Sequence, residues 1–125
     1  MKHVECPFCN ISKEDILLEN EYAVAIFDKF PVSKGHVLIV TKRHTKTFFD
    51  LEYIEKLAVF KLLDEVKAYL DNLYWPDGYN VGFNAEKAAG QTVPHFHLHV
   101  IPRYNGDVEN PRGGIRGCIP EKMKY

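Results

Sequence analysis

The sequence predicts an α+β domain: an antiparallel sheet of five short strands with one long helix packed on it. Three observations carry this expectation. Five runs of four to seven residues alternate or are solidly apolar and β-branched, and turn formers separate them. One stretch, Leu51 to Leu73, repeats its apolar residues every three or four positions. The run His95-Phe96-His97-Leu98-His99-Val100-Ile101 alternates strictly, as a strand with one polar and one apolar face does.

Length and composition fix the class. The 125 residues, 46% of them apolar, suit one domain (1–125) with a single core. A net charge of −1 argues against nucleic acid as a partner, which asks for a basic excess. No apolar run reaches membrane-span length, and the start Met1-Lys2-His3-Val4-Glu5 is not that of a signal peptide. Three cysteines, two of them three positions apart, suit a reducing interior, so a soluble cytoplasmic protein is expected.

Cys6-Pro7-Phe8-Cys9 opens the chain's chemistry. A lone C-x-x-C is half a zinc site, a redox pair or two small buried residues. No βαβ unit precedes it to support redox use, and zinc would need two further ligands. Ile16-Leu17-Leu18-Glu19 and Tyr22-Ala23-Val24-Ala25-Ile26-Phe27 read as two strands joined at Asn20-Glu21, with Asp28 where the second ends. Pro31, Ser33 and Gly35 make a loop, after which His36-Val37-Leu38-Ile39-Val40 is a short buried strand led by a histidine. His44 lies just beyond it.

Asp50 is the expected N-cap of the long helix, with Glu52 in its first turn. Leu51, Ile54, Leu57, Phe60, Leu63, Val66, Leu70 and Leu73 form the expected sheet-facing stripe. Pro76-Asp77-Gly78 ends the helix. Tyr79-Val81-Phe83 alternate with Asn80, Gly82 and Asn84 in a fourth strand, which pairs as a hairpin with the histidine strand. From Tyr104 to Tyr125 the chain turns irregular, a tail rich in glycine and polar residues. Its Arg112 and Arg116 flank a Gly-Gly pair, read either as arms for a phosphate chain or as solvated surface groups.

Three imidazoles on one strand face have two chemical uses. Neutral rings can hold a catalytic zinc with an open position. Alternatively, one ring attacks phosphorus while its neighbours orient it and bind the phosphate. Three merely structural histidines would each need a partner of their own. Gln91 and Thr92 just upstream offer neutral donors to a phosphoryl oxygen, and no carboxylate occurs from Ala88 to Tyr104, which favours the nucleophile.

Gly90-Gln91-Thr92-Val93-Pro94-His95-Phe96-His97-Leu98-His99-Val100-Ile101 closely resembles the histidine triad (HIT) motif, His-φ-His-φ-His-φ-φ with φ apolar. The resemblance covers most of the chain: Asp28 stands eight residues before His36, Lys34-Gly35-His36-Val37-Leu38 matches the strand with a fourth histidine, and Asn84 stands seven before Gln91. It implies a dimer, usually a homodimer, of the fold already expected. It implies a nucleotide hydrolase in which His97 attacks the α-phosphorus, forms a nucleotidyl-histidine and releases a nucleoside monophosphate with water. His99, Gln91 and Thr92 would then contact the phosphoryl oxygens or the leaving group. Asn84 would assist, His36 would support the triad, and Asp28 would hold the ribose. Phe8, Ile11 and Ile26 would line the pocket of a purine base. Relatives of the transferase branch carry Gln at the position of His99, so histidine there points to hydrolysis. Some relatives hold a structural zinc, and the matching positions are Cys6, Cys9, His44 and His95; no organic cofactor is implied.

The expected substrate is a dinucleoside polyphosphate or, alternatively, a nucleoside phosphoramidate. Arg112 and Arg116 lean towards the first. Two other functions fit the same residues: a metallohydrolase with zinc on the triad, and a nucleotide-binding regulator with incidental turnover.

Overall fold

A computed structural model describes residues 3–125; Met1 and Lys2, which open the stretch read above for a signal peptide, lie outside the described residues. Five strands form the sheet: β1 (Ile16–Glu19), β2 (Ala23–Phe27), β3 (Val37–Thr41), β4 (Gly78–Gly82) and β5 (His97–Arg103). Their order is β1-β2-β3-β5-β4 and every neighbouring pair is antiparallel. The helix α1 (Tyr53–Tyr74) joins β3 to β4, so the β4–β5 hairpin returns along β3 and places β5 inside the sheet. No helix among the described residues is long and apolar enough to cross a membrane.

Alternation along the strands divides the sheet into two faces. Ala23, Ala25, Val37, Ile39, Phe96, Leu98 and Val100 pack with Val59, Leu62, Val66 and Leu70 of α1 in the main core. Burying those four helix side chains contributes about 1.5–3 kcal/mol each as an upper estimate, enough to fix the helix on this face. Val24, Ile26, Leu38 and Val40 form a smaller cluster on the other face, covered by Phe8, Ile11 and Ile16. His97 and His99 sit opposite Val40 and Leu38 in the β3–β5 register, so they belong to this second face.

Several boundaries differ from expectation for identifiable reasons. Asp50 does not cap α1. It closes a separate short turn, Phe48–Asp50, in which its carboxylate accepts from the Thr47 N–H at 3.2 Å. Glu52 caps α1 instead, and its N–H donates to Glu55 Oε1 at 2.7 Å. Glu55 is a carboxylate in the sheet-facing stripe, held there by two hydrogen bonds from Arg43 at 2.7 and 3.0 Å. The stripe itself is Glu55, Val59, Leu62, Val66 and Leu70, whereas Ile54, Leu57, Phe60 and Leu73 are about half exposed. Tyr53, Leu57 and Phe60 make α1 apolar on its outer side as well, so spacing alone does not resolve which face is buried.

β2 starts at Ala23, because the Asn20 side-chain oxygen accepts the N–H groups of Tyr22 and Ala23 and keeps Tyr22 in the turn. β3 begins one residue after His36, and β4 runs Gly78–Gly82, short of Phe83 and Asn84. Gly35 has φ +90 and a Cβ there would lie 2.8 Å from the Tyr74 ring, so the entry to β3 needs glycine. β5 begins at His97: the N–H of Phe96 leaves the ladder and donates to Thr45 O at 2.6 Å.

Candidate functional site

The rings of the histidine motif have different partners, and those partners fix which nitrogen of each carries hydrogen. His97 Nδ1 lies 2.9 Å from the His95 carbonyl, which only accepts, so Nδ1 is the N–H and Nε2 keeps its lone pair. The Val32 N–H, which only donates, points at His36 Nδ1 at 3.1 Å. His36 therefore carries its hydrogen on Nε2 and donates it to His99 Nδ1 at 2.9 Å. His99 is left with Nε2–H. A chain of hydrogen bonds, Val32 to His36 to His99, thus sets a donor beside an open lone pair on His97, with the His97 and His99 ring centroids 5.2 Å apart.

Burial pushes His99 down from 6.5 to about 4, and neighbouring His97 and His36 push the same way against a smaller upward pull from Asp28. At neutral pH the ring is uncharged, a hydrogen-bond donor in one direction. Burial lowers His36 as well, opposed by the Asp28 carboxylate, whose Oδ2 is 3.4 Å from His36 Nε2. The other oxygen of Asp28 accepts from the Phe30 N–H at 2.8 Å.

His95 faces elsewhere. Fully buried, it donates from Nε2 to Thr41 O at 2.7 Å, leaving Nδ1 free of hydrogen and aimed at the cysteines. Cys6 Sγ is 3.3 Å and Cys9 Sγ 3.6 Å from that nitrogen, and His44 Nδ1 is 3.2 Å from Cys9 Sγ. The four ligand atoms lie within 4.8 Å of one another. Zinc bonds of about 2.3 Å to sulfur and 2.0–2.1 Å to nitrogen at tetrahedral angles separate S and N by about 3.6 Å, so the donor set fits a four-coordinate metal. Burial raises the Cys6 thiol and lowers His95 and His44. Both imidazoles therefore offer lone pairs at neutral pH, and a cation held here would favour the thiolate form of its sulfur ligands. Neither Cys6 nor Cys9 is in a disulfide.

The remaining expected residues divide by position. Phe8 lies against His97, ring centroids 4.9 Å apart, and with Ile11 and Ile26 forms an apolar wall on the His97 face. Asn84 is exposed, two residues beyond Gly82, the β4 partner of His99. Thr92 is exposed on the loop into β5. Gln91 holds that loop together: its Oε1 accepts from the Glu86 N–H at 2.8 Å and its Nε2 donates to Lys46 O and Val93 O at 2.7 and 3.0 Å. Arg112 and Arg116 stack on Tyr125, 5.3 and 4.4 Å from its ring centroid, and Arg116 donates to the carbonyls of Lys122 and Met123. The tail satisfies its own arginines. The groups no sequence pattern marked are backbone ones: the Val32 N–H and the Thr41 and His95 carbonyls. Strand register could have located the last two; the first depends on the loop conformation.

Comparison with known proteins agrees with this arrangement. The HIT domain family model matches residues 11–106. An uncharacterised HIT-like protein of Mycoplasma genitalium is 39% identical over 103 residues, 79% of this chain and 73% of that protein. A bis(5'-adenosyl)-triphosphatase of Saccharomyces cerevisiae is 37% identical over 92 residues, 73% of this chain and 45% of the yeast protein. Among solved structures, a HIT family protein of Bacillus anthracis superposes with a TM-score of 0.77 at 33% identity, covering 83% of this chain and 77% of that one. A zinc-bound histidine triad family protein of Mycobacterium smegmatis superposes at 0.74 with 34% identity, covering 85% and 80%.

Proposed function

This chain belongs to the HIT family, and from that membership and the ring geometry on β5 we propose that it is a nucleotide hydrolase acting at the α-phosphate through a nucleotidyl-histidine. The observation that carries the proposal is the His97 Nδ1–H bond to the His95 carbonyl, which leaves Nε2 as a lone pair on a ring that cannot rotate freely.

Nε2 of His97 attacks the α-phosphorus, and the bond to the leaving group breaks with its electron pair. Water then attacks phosphorus, the P–N bond returns its pair to Nε2, and the water's proton leaves with the products, giving a nucleoside monophosphate. His99 donates from Nε2 to a phosphoryl oxygen or the leaving group as charge develops there. His36 positions His99. The purine base rests on Phe8, Ile11 and Ile26, with Asp28 towards the ribose. Thr92 and Asn84 donate near the phosphate, and Gln91 keeps the loop in the shape that presents Thr92. Cys6, Cys9, His44 and His95 would hold a structural zinc, a four-donor set that would tie the N-terminal turn to the start of β5 and supply no reaction chemistry.

The metallohydrolase reading loses support from the ring directions: His95 aims Nδ1 at the cysteines while His97 ties its own Nδ1 to a carbonyl, so the three rings share no common point. Two copies pair, in this proposal, across the outer face of α1 at Tyr53, Leu57 and Phe60, which are 48–75% exposed. Free cysteines suit the cytoplasm.

Incubation with diadenosine triphosphate and with adenosine 5′-phosphoramidate, following AMP release, tests the activity. His97→Ala should lose turnover on both while keeping its fold. Hydrolysis by that variant at the wild-type rate would remove His97 as nucleophile. Tight AMP binding by the wild type without turnover of either compound would favour a nucleotide-binding regulator.

A further inference from the structure

The Val32 N–H fixes the hydrogen on His36 and, through it, the hydrogen on His99. Val32 itself lies on the loop 28–36 between β2 and β3, where Phe30 and Val32 are largely exposed. The loop's internal bonds are local. Asp28 N–H donates to His36 O at 2.9 Å, and His36 N–H donates to Ser33 O at 3.2 Å. They close the base of the loop, but they tie its backbone only to itself. A donor that must point at one ring nitrogen needs its loop fastened to something outside.

Tyr104 supplies that fastening. Its hydroxyl donates to Lys34 O at 2.7 Å, and among the described residues no other side chain from outside the loop bonds to the loop backbone. Tyr74, the last residue of α1, takes the other side. The Lys34 ammonium lies 5.2 Å from the Tyr74 ring centroid, and Gly35 approaches the same ring so closely that only glycine fits. Between Val32 and His36 the chain is therefore held by two tyrosines. Tyr104 directly follows β5, the strand that carries His99. Its own position is braced: its N–H donates to Asp107 Oδ2 at 3.0 Å, and the Asp107 N–H returns to Tyr104 O at 2.9 Å. Arg103 grips the same carboxylate with two bonds at 2.8 Å and reaches Asn80 of β4 at 2.7 Å. A closed circuit results, from His99 to His36, to Val32, to Lys34, to Tyr104 and back along β5.

We propose that Tyr104 is a positioning residue for the reaction: its hydroxyl holds the loop in the shape that aims the Val32 N–H at His36, and so directs the hydrogen of His99 to Nε2. It acts through this chain of bonds alone and touches neither substrate nor reacting atoms. Its effect on turnover rests on the α-phosphate reading above, whereas its effect on the rings does not. Once Lys34 O is released, the loop can carry the Val32 N–H away from His36 Nδ1. No donor then selects which nitrogen of His36 bears hydrogen, and His99 follows His36.

The test compares wild type, Tyr104→Phe, His36→Leu and the double variant. Tyr104→Phe removes one hydroxyl and keeps the ring, so the fold should be retained. Its kcat for diadenosine triphosphate should fall about threefold to tenfold, the range that loss of one neutral hydrogen bond spans. In the His36→Leu background the orienting chain is already cut, so the same change should alter kcat by less than about 1.5-fold. Two-bond 15N–1H spectra at pH 7 should show His99 with hydrogen on Nε2 alone in the wild type, and partly on Nδ1 in Tyr104→Phe. A merely structural tyrosine would leave those spectra unchanged. Unchanged spectra in Tyr104→Phe, or losses that multiply in the double variant, would overturn the positioning role. A wild type that hydrolyses neither diadenosine triphosphate nor adenosine 5′-phosphoramidate would overturn the α-phosphate reading instead, and the spectra would still decide whether Tyr104 sets the rings.

Discussion

Replacing His36 separates the orienting hydrogen-bond chain from the chemistry it serves. In the wild type His36 Nε2–H donates to His99 Nδ1 at 2.9 Å, and its own Nδ1 is fixed as acceptor by the Val32 N–H at 3.1 Å. His36→Leu keeps the bulk and removes both bonds. The Val32 N–H, on a residue 71% exposed, can turn to water, so stability should suffer little from that side. His99 Nδ1 loses a buried donor, a cost of about 1–3 kcal/mol for an unsatisfied group. The ring can recover it only by moving its hydrogen to Nδ1 or rotating, and either change removes the Nε2–H that the proposed mechanism directs at the substrate. If the transition state bears most of that loss, kcat should fall about tenfold to a hundredfold, the equivalent of roughly 1.4–2.7 kcal/mol. His36→Gln, whose amide N–H can again donate to His99, should recover part of it. Two-bond 15N–1H spectra at pH 7 read the mechanism directly: Nε2–H on His36 and His99, and Nδ1–H on His97. An Nδ1–H form of His99 in the wild type, or a Leu variant with kcat within twofold of wild type, would refute the orienting chain.

Other outcomes follow from the same geometry. Because burial lowers His99 from 6.5 to about 4, the unfolded chain binds a proton between those pH values that the folded chain refuses. Stability is full above pH 6.5, and between there and pH 4 the wild type should lose up to about 3 kcal/mol more than His99→Gln in urea unfolding; parallel pH profiles would contradict the burial argument. Protein purified without chelator or histidine tag should carry about one zinc per chain, and Cys9→Ser should lose the metal and several degrees of melting temperature. A wild type without metal would end the zinc assignment. Leu57→Glu should convert a two-chain species in light scattering to a single chain with the fold intact, and an unchanged mass would move the interface elsewhere.

What the sequence made legible was side-chain chemistry carried by a period. β1 was readable residue for residue, and Phe96, Leu98 and Val100 were placed in the core by alternation alone. The buried face of α1 was not readable, because Tyr53, Leu57 and Phe60 give the helix a second apolar side. Asp50 looked like a helix cap because its residue type suits one, and a capped turn of three residues intervened. Arg112 and Arg116 looked free because the residue they stack on, Tyr125, lies nine or more positions along an irregular tail with no period to read. Gly113 makes that tail possible, since a Cβ there would lie 1.8 Å from Met123 O.

The motif begins two residues before the strand does, and that offset separates its three rings. Had β5 started at His95, the His95 carbonyl would face β3 or β4 in the ladder, and His97 would have no acceptor for Nδ1–H. Instead β3 pairs with β5 only as far as Val40 opposite His97. Phe96 N–H goes to Thr45, and His95 N–H to Val93 O at 2.8 Å, so the chain bends just before His97. The bend buries His95 under Thr41 and turns its free nitrogen to Cys6 and Cys9, while its carbonyl orients His97. In the proposed assignment, one residue thereby serves the metal group with its ring and the reactive group with its backbone. A substitution of His95 should therefore harm folding and metal binding through the ring before the chemistry, whereas the backbone bond that sets His97 survives any side-chain change that leaves the bend in place. His95→Cys, which keeps a zinc ligand, is the variant that separates the two. It should retain metal and most of the turnover per folded molecule, and loss of turnover in a metal-bound, folded His95→Cys would assign the ring itself a part in the reaction.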